Sequence, residues 1–185
     1  AEAFLGRRPR PEAVREAAAR TLVPGRFEIV EGRANGCPDT GATVPGEAVD
    51  GPTVILDGAH NPAGTAALAE SLPPFLASSG AQRVTLLISV LDDKDAAAML
   101  QDLLPFCAAV VATQASNPRA LPAATLASLT TQLGGPPALV VRDPRAALAT
   151  ARSLAGPGGT VLATGSLYLL ADLKRPPGAH AGATL

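Results

Sequence analysis

Three apolar runs without polar alternation constrain the fold of this chain more than any other feature. They are Val84-Thr-Leu-Leu-Ile88, Ala108-Ala-Val-Val-Ala112 and Leu139-Val-Val141. A strand that is apolar on both faces must be covered on both faces, which is typical of a parallel sheet between two layers of helices. The sequence therefore predicts an α/β fold, with a doubly wound, mostly parallel Rossmann-like sheet and helices on both faces.

Predicted helices and strands alternate along the chain from residue 11 to residue 164. Helices are predicted at 11–20, 62–78, 95–104, 122–133 and 144–154, and strands at 27–30, 53–57, 83–90, 108–113, 138–142 and 160–164. Pro11, Pro122 and Pro144 suit the first position of a helix, and Asp143 is expected to cap the last one. Residues 32–52 contain five glycines and three prolines and are predicted to form a long loop, whose conformation the sequence does not specify.

Composition excludes several classes of protein. The 185 residues carry a formal charge of −1 and only 3% aromatic residues, so no nucleic-acid partner is expected. No apolar stretch approaches the ~18 residues of a membrane span, and the first residues lack the apolar core of a secretion signal. Cys37 and Cys107 stand apart, which argues against a disulfide framework, and Cys107 is predicted to be buried. A single cytoplasmic domain is the expectation.

A polar turn follows the predicted strand 53–57 and precedes an alanine-rich helix. It reads Asp57-Gly-Ala-His-Asn-Pro62. Gly58 permits a tight turn, and the Asn and Pro suit a helix cap and a first helical position. A plain capped turn explains those residues, but it requires neither an Asp nor a His. Asp57 and His60 are therefore candidate site residues, since perturbable polar groups in such loops usually mark sites.

Other polar residues also cluster in loops that follow predicted strands. They lie in L-D-D-K-D at 91–95, in T-G-S-L-Y at 164–168, and in 114–119, which contains Ser116, Asn117 and Arg119. Loops at the opposite edge, 134–137 and 156–159, contain only glycine and proline. Because the carboxyl ends of parallel strands share one edge, a polar ligand site is predicted there.

These groups also have ordinary structural explanations. The aspartates around Lys94 could form the acidic first turn of a solvated helix. Ser166 could cap a following element, and Tyr168, between two leucines, could be a packed aromatic. Gly165 is expected to allow close backbone approach. Only Asp57 and His60 cluster as possible ligands, so no metal bound by this chain is expected.

Familiar phosphate-binding and nucleophile motifs are missing. The chain contains no G-x-x-x-x-G-K-[ST], no G-x-G-x-x-G after a strand and no G-x-S-x-G. The residues alone therefore predict an α/β domain that contributes one wall of a polar crevice.

Four segments, in this order and spacing, resemble one enzyme family. They are Pro24-Gly-Arg-Phe-Glu-Ile-Val30, Ile55-Leu-Asp-Gly-Ala-His-Asn-Pro62, Leu91-Asp-Asp-Lys-Asp95 and Thr164-Gly-Ser-Leu-Tyr-Leu169. Together they are similar to the C-terminal domain of the folylpolyglutamate synthase and dihydrofolate synthase family, within the Mur ligase superfamily. The resemblance implies that residues 1–10 end a preceding domain and form a linker, that 11–174 are the C-terminal domain, and that 175–185 are a flexible tail.

The resemblance also implies an ATP-dependent ligase of two domains. An N-terminal ATPase domain, which this chain lacks, would hold the phosphate loop, the Mg²⁺ and most of the folate site. ATP would phosphorylate a carboxylate of folate or dihydropteroate, and the amine of L-glutamate would attack the acyl phosphate. Such chemistry depends on positioning and charge stabilisation more than on a protein nucleophile. The isolated domain is expected to be inactive, and the enzyme to be a monomer.

Residue roles follow from the same match. Arg26 and Asp57 correspond to positions that contact ATP. His60, Ser166 and Tyr168 correspond to positions that hold glutamate, and His60 is also assigned to catalysis. Lys94 and Asp95 receive no role.

Two other classes of protein stay open. A Mur-type ligase that adds amino acids to a cell-wall precursor would share the fold, although P-G-R and G-S-L-Y favour the folate branch. A stand-alone ligand-binding domain would explain the missing phosphate loop, whereas the start Ala1-Glu-Ala-Phe-Leu5 is interpreted as a cut through a helix. The sequence does not separate dihydrofolate synthase from folylpolyglutamate synthase or from an enzyme with both activities.

Overall fold

The computed structural model describes residues 6, 8–21, 23–31 and 51–176. Most of the predicted loop 33–52 therefore lies outside the described residues, together with Cys37. The same holds for most of the predicted tail 175–185 and for much of the predicted linker 1–10. The description that follows covers the remaining residues.

Six helices alternate with strands along the described chain. They are α1 (Pro11–Arg20), α2 (Pro62–Ser79), α3 (Ala96–Leu103), α4 (Ala123–Gln132), α5 (Pro144–Ala155) and α6 (Leu167–Lys174), with a 3-10 turn at Leu104–Phe106. Helix α5 begins as predicted, because the Asp143 side chain accepts a hydrogen bond from the Ala146 N–H. Helix α4 begins at Ala123, so Pro122 occupies the N-cap instead of the predicted first helical position. Helix α6 was not predicted.

The strands of the sheet are β1 (Glu28–Glu31), β2 (Thr53–Leu56), β3 (Val84–Ile88), β4 (Cys107–Ala112), β5 (Ala138–Val140) and β6 (Thr160–Thr164). They are ordered β1-β2-β6-β3-β4-β5. Strand β1 is antiparallel to β2, and all other neighbouring pairs are parallel. The predicted doubly wound, mostly parallel sheet is confirmed. Because β6 lies between β2 and β3, the loops that follow these three strands are neighbours.

Apolar residues cover both faces of the sheet. Alternate residues of β2 belong to different cores: Ile55 packs on one side, and Val54 and Leu56 pack on the other. The first core is completed by α2, α3 and α4, and the second by α5 and α6. Two-sided burial explains why β2 and β6 show no polar alternation.

One strand departs from the predicted two-sided burial. Leu139 and Val140 of β5 are 45% and 47% exposed, so the interpretation of this run as a fully buried strand was wrong. The reason is its position, because β5 is an edge strand of the sheet. Cys107 of β4 is buried as predicted, and burial raises the pKa of its thiol to about 12.

None of the described helices is long and apolar enough to cross a membrane.

Candidate functional site

The turn after β2 is organised by the carboxylate of Asp57. Its Oδ1 accepts a hydrogen bond from the Ala59 N–H at 2.8 Å, and its Oδ2 accepts one from the Phe27 N–H at 2.7 Å. The side chain is only 6% exposed. Asp57 therefore ties the turn after β2 to the turn that precedes β1.

The second turn carries Arg26. It is closed by a hydrogen bond from the Arg26 N–H to the Val23 carbonyl oxygen at 3.0 Å, and the Gly58 N–H of the turn after β2 donates to the Gly25 carbonyl oxygen at 2.7 Å. Phe27 has a φ of +44°, and such left-handed backbone costs a residue with a side chain about 1–2 kcal/mol. The hydrogen bond to Asp57 offsets part of this cost.

Arg26 itself is exposed. Glu28, three positions from Gly25, contacts Lys174 at 2.5 Å and forms no ion pair with Arg26. No described side chain forms an ion pair with Arg26.

His60 lies half-buried in the turn after β2. Its Nδ1 is 2.8 Å from the carbonyl oxygen of Gly58. A carbonyl oxygen can only accept a hydrogen bond, so Nδ1 carries a proton and Nε2 is left for a ligand. The predicted cap is confirmed as well, since the Asn61 side chain accepts from the Gly64 N–H at 2.8 Å and starts α2.

The loop after β6 brings Ser166 and Tyr168 to the same edge. Gly165 has a φ of +97°, and a Cβ at this position would lie 2.5 Å from the backbone oxygen of Ser89. The expected close backbone approach is confirmed, and it is to the loop after β3. Ser166 is buried and caps α6 by accepting from the Tyr168 N–H at 3.1 Å. Tyr168 is 49% exposed, so it is not a packed aromatic.

These loops enclose a cavity of about 210 Å³. Its walls are formed by His60, Leu91, Asp93, Lys94, Arg119, Ser166, Leu167 and Tyr168. The cavity brings together three of the predicted site residues, His60, Ser166 and Tyr168. The other two, Arg26 and Asp57, lie on the neighbouring turns and do not line it.

Two cations in the cavity wall received no role from the sequence, although their loops were placed at the predicted polar edge. The carboxylate of Asp93 bridges them, with Lys94 Nζ at 2.9 Å and Arg119 Nη2 at 2.6 Å. The Arg119 Nε is also 3.5 Å from Asp92. The hydrogen bond from Lys94 is the main cause that holds the pKa of Asp93 below its usual value. The signal in the sequence was the position of both cations in loops that follow strands.

Asp95 lies at the start of a helix, which is the structural alternative considered for the aspartates around Lys94. Its side chain accepts a hydrogen bond from the Ala98 N–H at 2.9 Å and caps α3. Over the ranges that the structure describes, no group of three or more His, Cys, Asp or Glu residues could hold a metal ion.

A doubly wound α/β domain with a small polar cavity at the carboxyl edge of its strands is a ligand-binding domain by fold and site. The chain belongs to the family described as Mur ligase, glutamate ligase domain, whose family model matches residues 25–167.

Individual relatives agree with this membership. The chain is 33% identical to the probable bifunctional folylpolyglutamate synthase/dihydropteroate synthase of Haloferax volcanii, over 92% of this chain and 18% of the relative. It is 34% identical to the dihydrofolate synthase/folylpolyglutamate synthase of Mycobacterium tuberculosis, over 73% of this chain and 24% of the relative. The chain thus spans a quarter or less of the length of these two relatives.

The fold resembles a crystal structure of folylpolyglutamate synthase from Mycobacterium tuberculosis, complexed with ADP and AMPPCP. The TM-score is 0.71 and the sequence identity 31%, over 95% of this chain and 38% of the solved chain. The described domain therefore corresponds to little more than a third of that enzyme.

Proposed function

We propose that this chain is the C-terminal domain of an ATP-dependent ligase that joins L-glutamate to folate or dihydropteroate. Residues 11–174 form the domain, and a preceding ATPase domain supplies the phosphate loop and the Mg²⁺. The terminal phosphoryl group of ATP passes to the acceptor carboxylate, which releases ADP. The glutamate amine then attacks the acyl phosphate, and inorganic phosphate leaves.

The cavity that contains His60, Lys94, Arg119 and Ser166 is the observation that carries this proposal. Its volume of about 210 Å³ is below the roughly 300–1,000 Å³ of pockets that enclose drug-sized ligands, which favours an amino acid over a nucleotide or a folate. Two cations and an imidazole favour a ligand with carboxylates. Glutamate meets both requirements.

A ligand carboxylate would replace the carboxylate of Asp93 as the partner of the two cations. Its two oxygens each contact one cation, Lys94 or Arg119. Ion pairs exposed to solvent contribute little to stability, so exchanging Asp93 for a ligand carboxylate costs little. The planar Arg119 guanidinium suits a bidentate carboxylate. His60, through Nε2, is suited to orient the attacking amine.

ATP would lie against the turn that precedes β1 and the turn that follows β2. The exposed guanidinium of Arg26 can reach phosphate or ribose. Each carboxylate oxygen of Asp57 accepts one backbone N–H and keeps a second lone pair, so a ribose hydroxyl could still donate to it.

A coupled assay for ADP release tests the proposal. The 185-residue chain alone is expected to release no ADP with folate, dihydropteroate and glutamate present, because it lacks a phosphate loop. The complete ligase that contains this domain is expected to release ADP only when glutamate and one of the two acceptors are both supplied. Robust turnover by the isolated chain would contradict the two-domain assignment. Turnover of the complete ligase with a cell-wall precursor, and not with either acceptor, would place it in another branch of the family.

A further inference from the structure

The turn that contains Arg26 is connected to helix α6 through the side chain of Glu28. Lys174, in the last turn of α6, lies 2.5 Å from Oε2 of Glu28. The same oxygen accepts a hydrogen bond from the Gly25 N–H at 2.6 Å. Gly25 immediately precedes Arg26, so one carboxylate oxygen connects α6 to the backbone beside the arginine.

The backbone on both sides of Arg26 is fixed by directed contacts. The Gly25 carbonyl accepts from the Gly58 N–H, the Arg26 N–H donates to the Val23 carbonyl at 3.0 Å, and the Phe27 N–H donates to Asp57. A Cβ on Gly25 would lie 3.1 Å from the Leu170 side chain of α6. The backbone of this turn is therefore constrained, whereas the side chain of Arg26 is exposed to solvent.

A lysine at the end of a helix has a simpler explanation, because cations are favoured near the helix C-terminus. That explanation does not account for Glu28, whose oxygen receives both Lys174 and a backbone N–H. The hydrogen bond from Lys174 is the largest cause that lowers the pKa of Glu28, against the opposing effect of burial. The charged form of Glu28 is thus favoured in the folded chain.

We infer that Glu28 is a positioning residue for Arg26, and that Lys174 holds Glu28 in place. The inference rests on the proposed function, in which Arg26 contacts ATP. Glu28 does not touch the nucleotide; it sets the direction in which the guanidinium projects. Helix α6, which presents Ser166 and Tyr168 to the cavity at its start, fixes the ATP-binding turn at its end.

A double-mutant cycle in the complete ligase tests this inference. Its variants are Arg26→Ala, Glu28→Ala and the double variant, and the quantity measured is KM for ATP. Glu28→Ala is expected to raise KM for ATP roughly three- to thirtyfold, with KM for glutamate unchanged. If Glu28 acts through Arg26, the double variant has the same KM for ATP as Arg26→Ala alone. A purely structural role would instead make the two effects add.

One conservative variant and one control complete the experiment. Glu28→Gln keeps an acceptor for the Gly25 N–H and is expected to recover most of the ATP affinity lost in Glu28→Ala. If Glu28→Ala does not fold, Glu28→Gln replaces it in the cycle. Glu70→Ala is the matched control, since Glu70 is exposed on α2 and its side chain forms no hydrogen bond or ion pair with the described residues. Its KM for ATP is expected to equal that of the unchanged enzyme.

Two outcomes overturn the inference in distinguishable ways. If Arg26→Ala raises KM for ATP and Glu28→Ala does not, or if their effects add, Glu28 is not a positioning residue and the proposed function stands. If Arg26→Ala leaves KM for ATP unchanged, the proposed role of Arg26 fails, and the inference fails with it.

Discussion

The Asp57 carboxylate accepts a hydrogen bond from the backbone N–H of Phe27 at 2.7 Å, across 30 residues of sequence. This contact joins the two segments that contain the predicted ATP contacts, Arg26 in P-G-R-F and Asp57 in D-G-A-H-N-P. It gives Asp57 a role in the fold that is separate from any ligand. Loss of activity in an Asp57 variant therefore has to be separated from loss of stability.

Asp57→Ala is expected to lower the free energy of unfolding by about 2–5 kcal/mol, because it leaves the Phe27 and Ala59 N–H groups without an acceptor. Asp57→Asn retains one acceptor oxygen and is expected to lose about half as much. Urea unfolding of the isolated chain, followed by circular dichroism, measures both. Equal stability of Asp57→Ala and the unchanged chain would show that the two hydrogen bonds contribute nothing.

Gly165→Ala is expected to destabilise the fold much more than Gly158→Ala. Both glycines have a positive φ, +97° and +74°, but only the Cβ at 165 would meet a backbone atom, the Ser89 oxygen at 2.5 Å. Gly158→Ala should cost about 1–2 kcal/mol from backbone strain alone. Gly165→Ala adds a clash between the loop after β6 and the loop after β3. Thermal unfolding compares the two, and equal losses would contradict a close approach at Gly165.

The contribution of Glu28 to stability should depend on pH. The pKa of Glu28 in the folded chain lies below its ordinary value of 4.5, so its stabilising effect is complete above that value and is lost as pH falls through the folded pKa. The unchanged chain should therefore unfold at a higher temperature than Glu28→Gln at about pH 7, and the difference should shrink by about pH 3. A difference that does not change with pH would contradict the ion pair.

Most of the sheet could be predicted because two-sided burial leaves a simple pattern in sequence. That pattern does not reveal strand order, so the exposure of Leu139 on the edge strand β5 was missed. Helix α6 was missed although it is as long as the predicted α3, because its first residues, Leu167 and Tyr168, belong to the segment T-G-S-L-Y that was interpreted as a loop.

The candidate site was predicted in part for the same reason. His60, Ser166 and Tyr168 could be grouped because parallel strands share one carboxyl edge. The loops of Lys94 and Arg119 were placed at this edge as well, but the ion pairs of both cations with Asp93 could not be predicted without knowing that the loops after β3 and β4 meet. The contact between Phe27 and Asp57 depends on an antiparallel strand added beside β2, which no local pattern specifies.

The most direct test of the central claim is steady-state kinetics of Arg26→Ala and His60→Ala in the complete ligase, with ATP and glutamate varied in turn. Loss of one charge-assisted contact costs about 1.5–3 kcal/mol, or roughly ten- to a hundredfold in affinity. The account predicts that Arg26→Ala raises KM mainly for ATP and that His60→Ala raises KM mainly for glutamate. If both variants change only the ATP dependence, His60 is a nucleotide residue and the cavity is not the glutamate site.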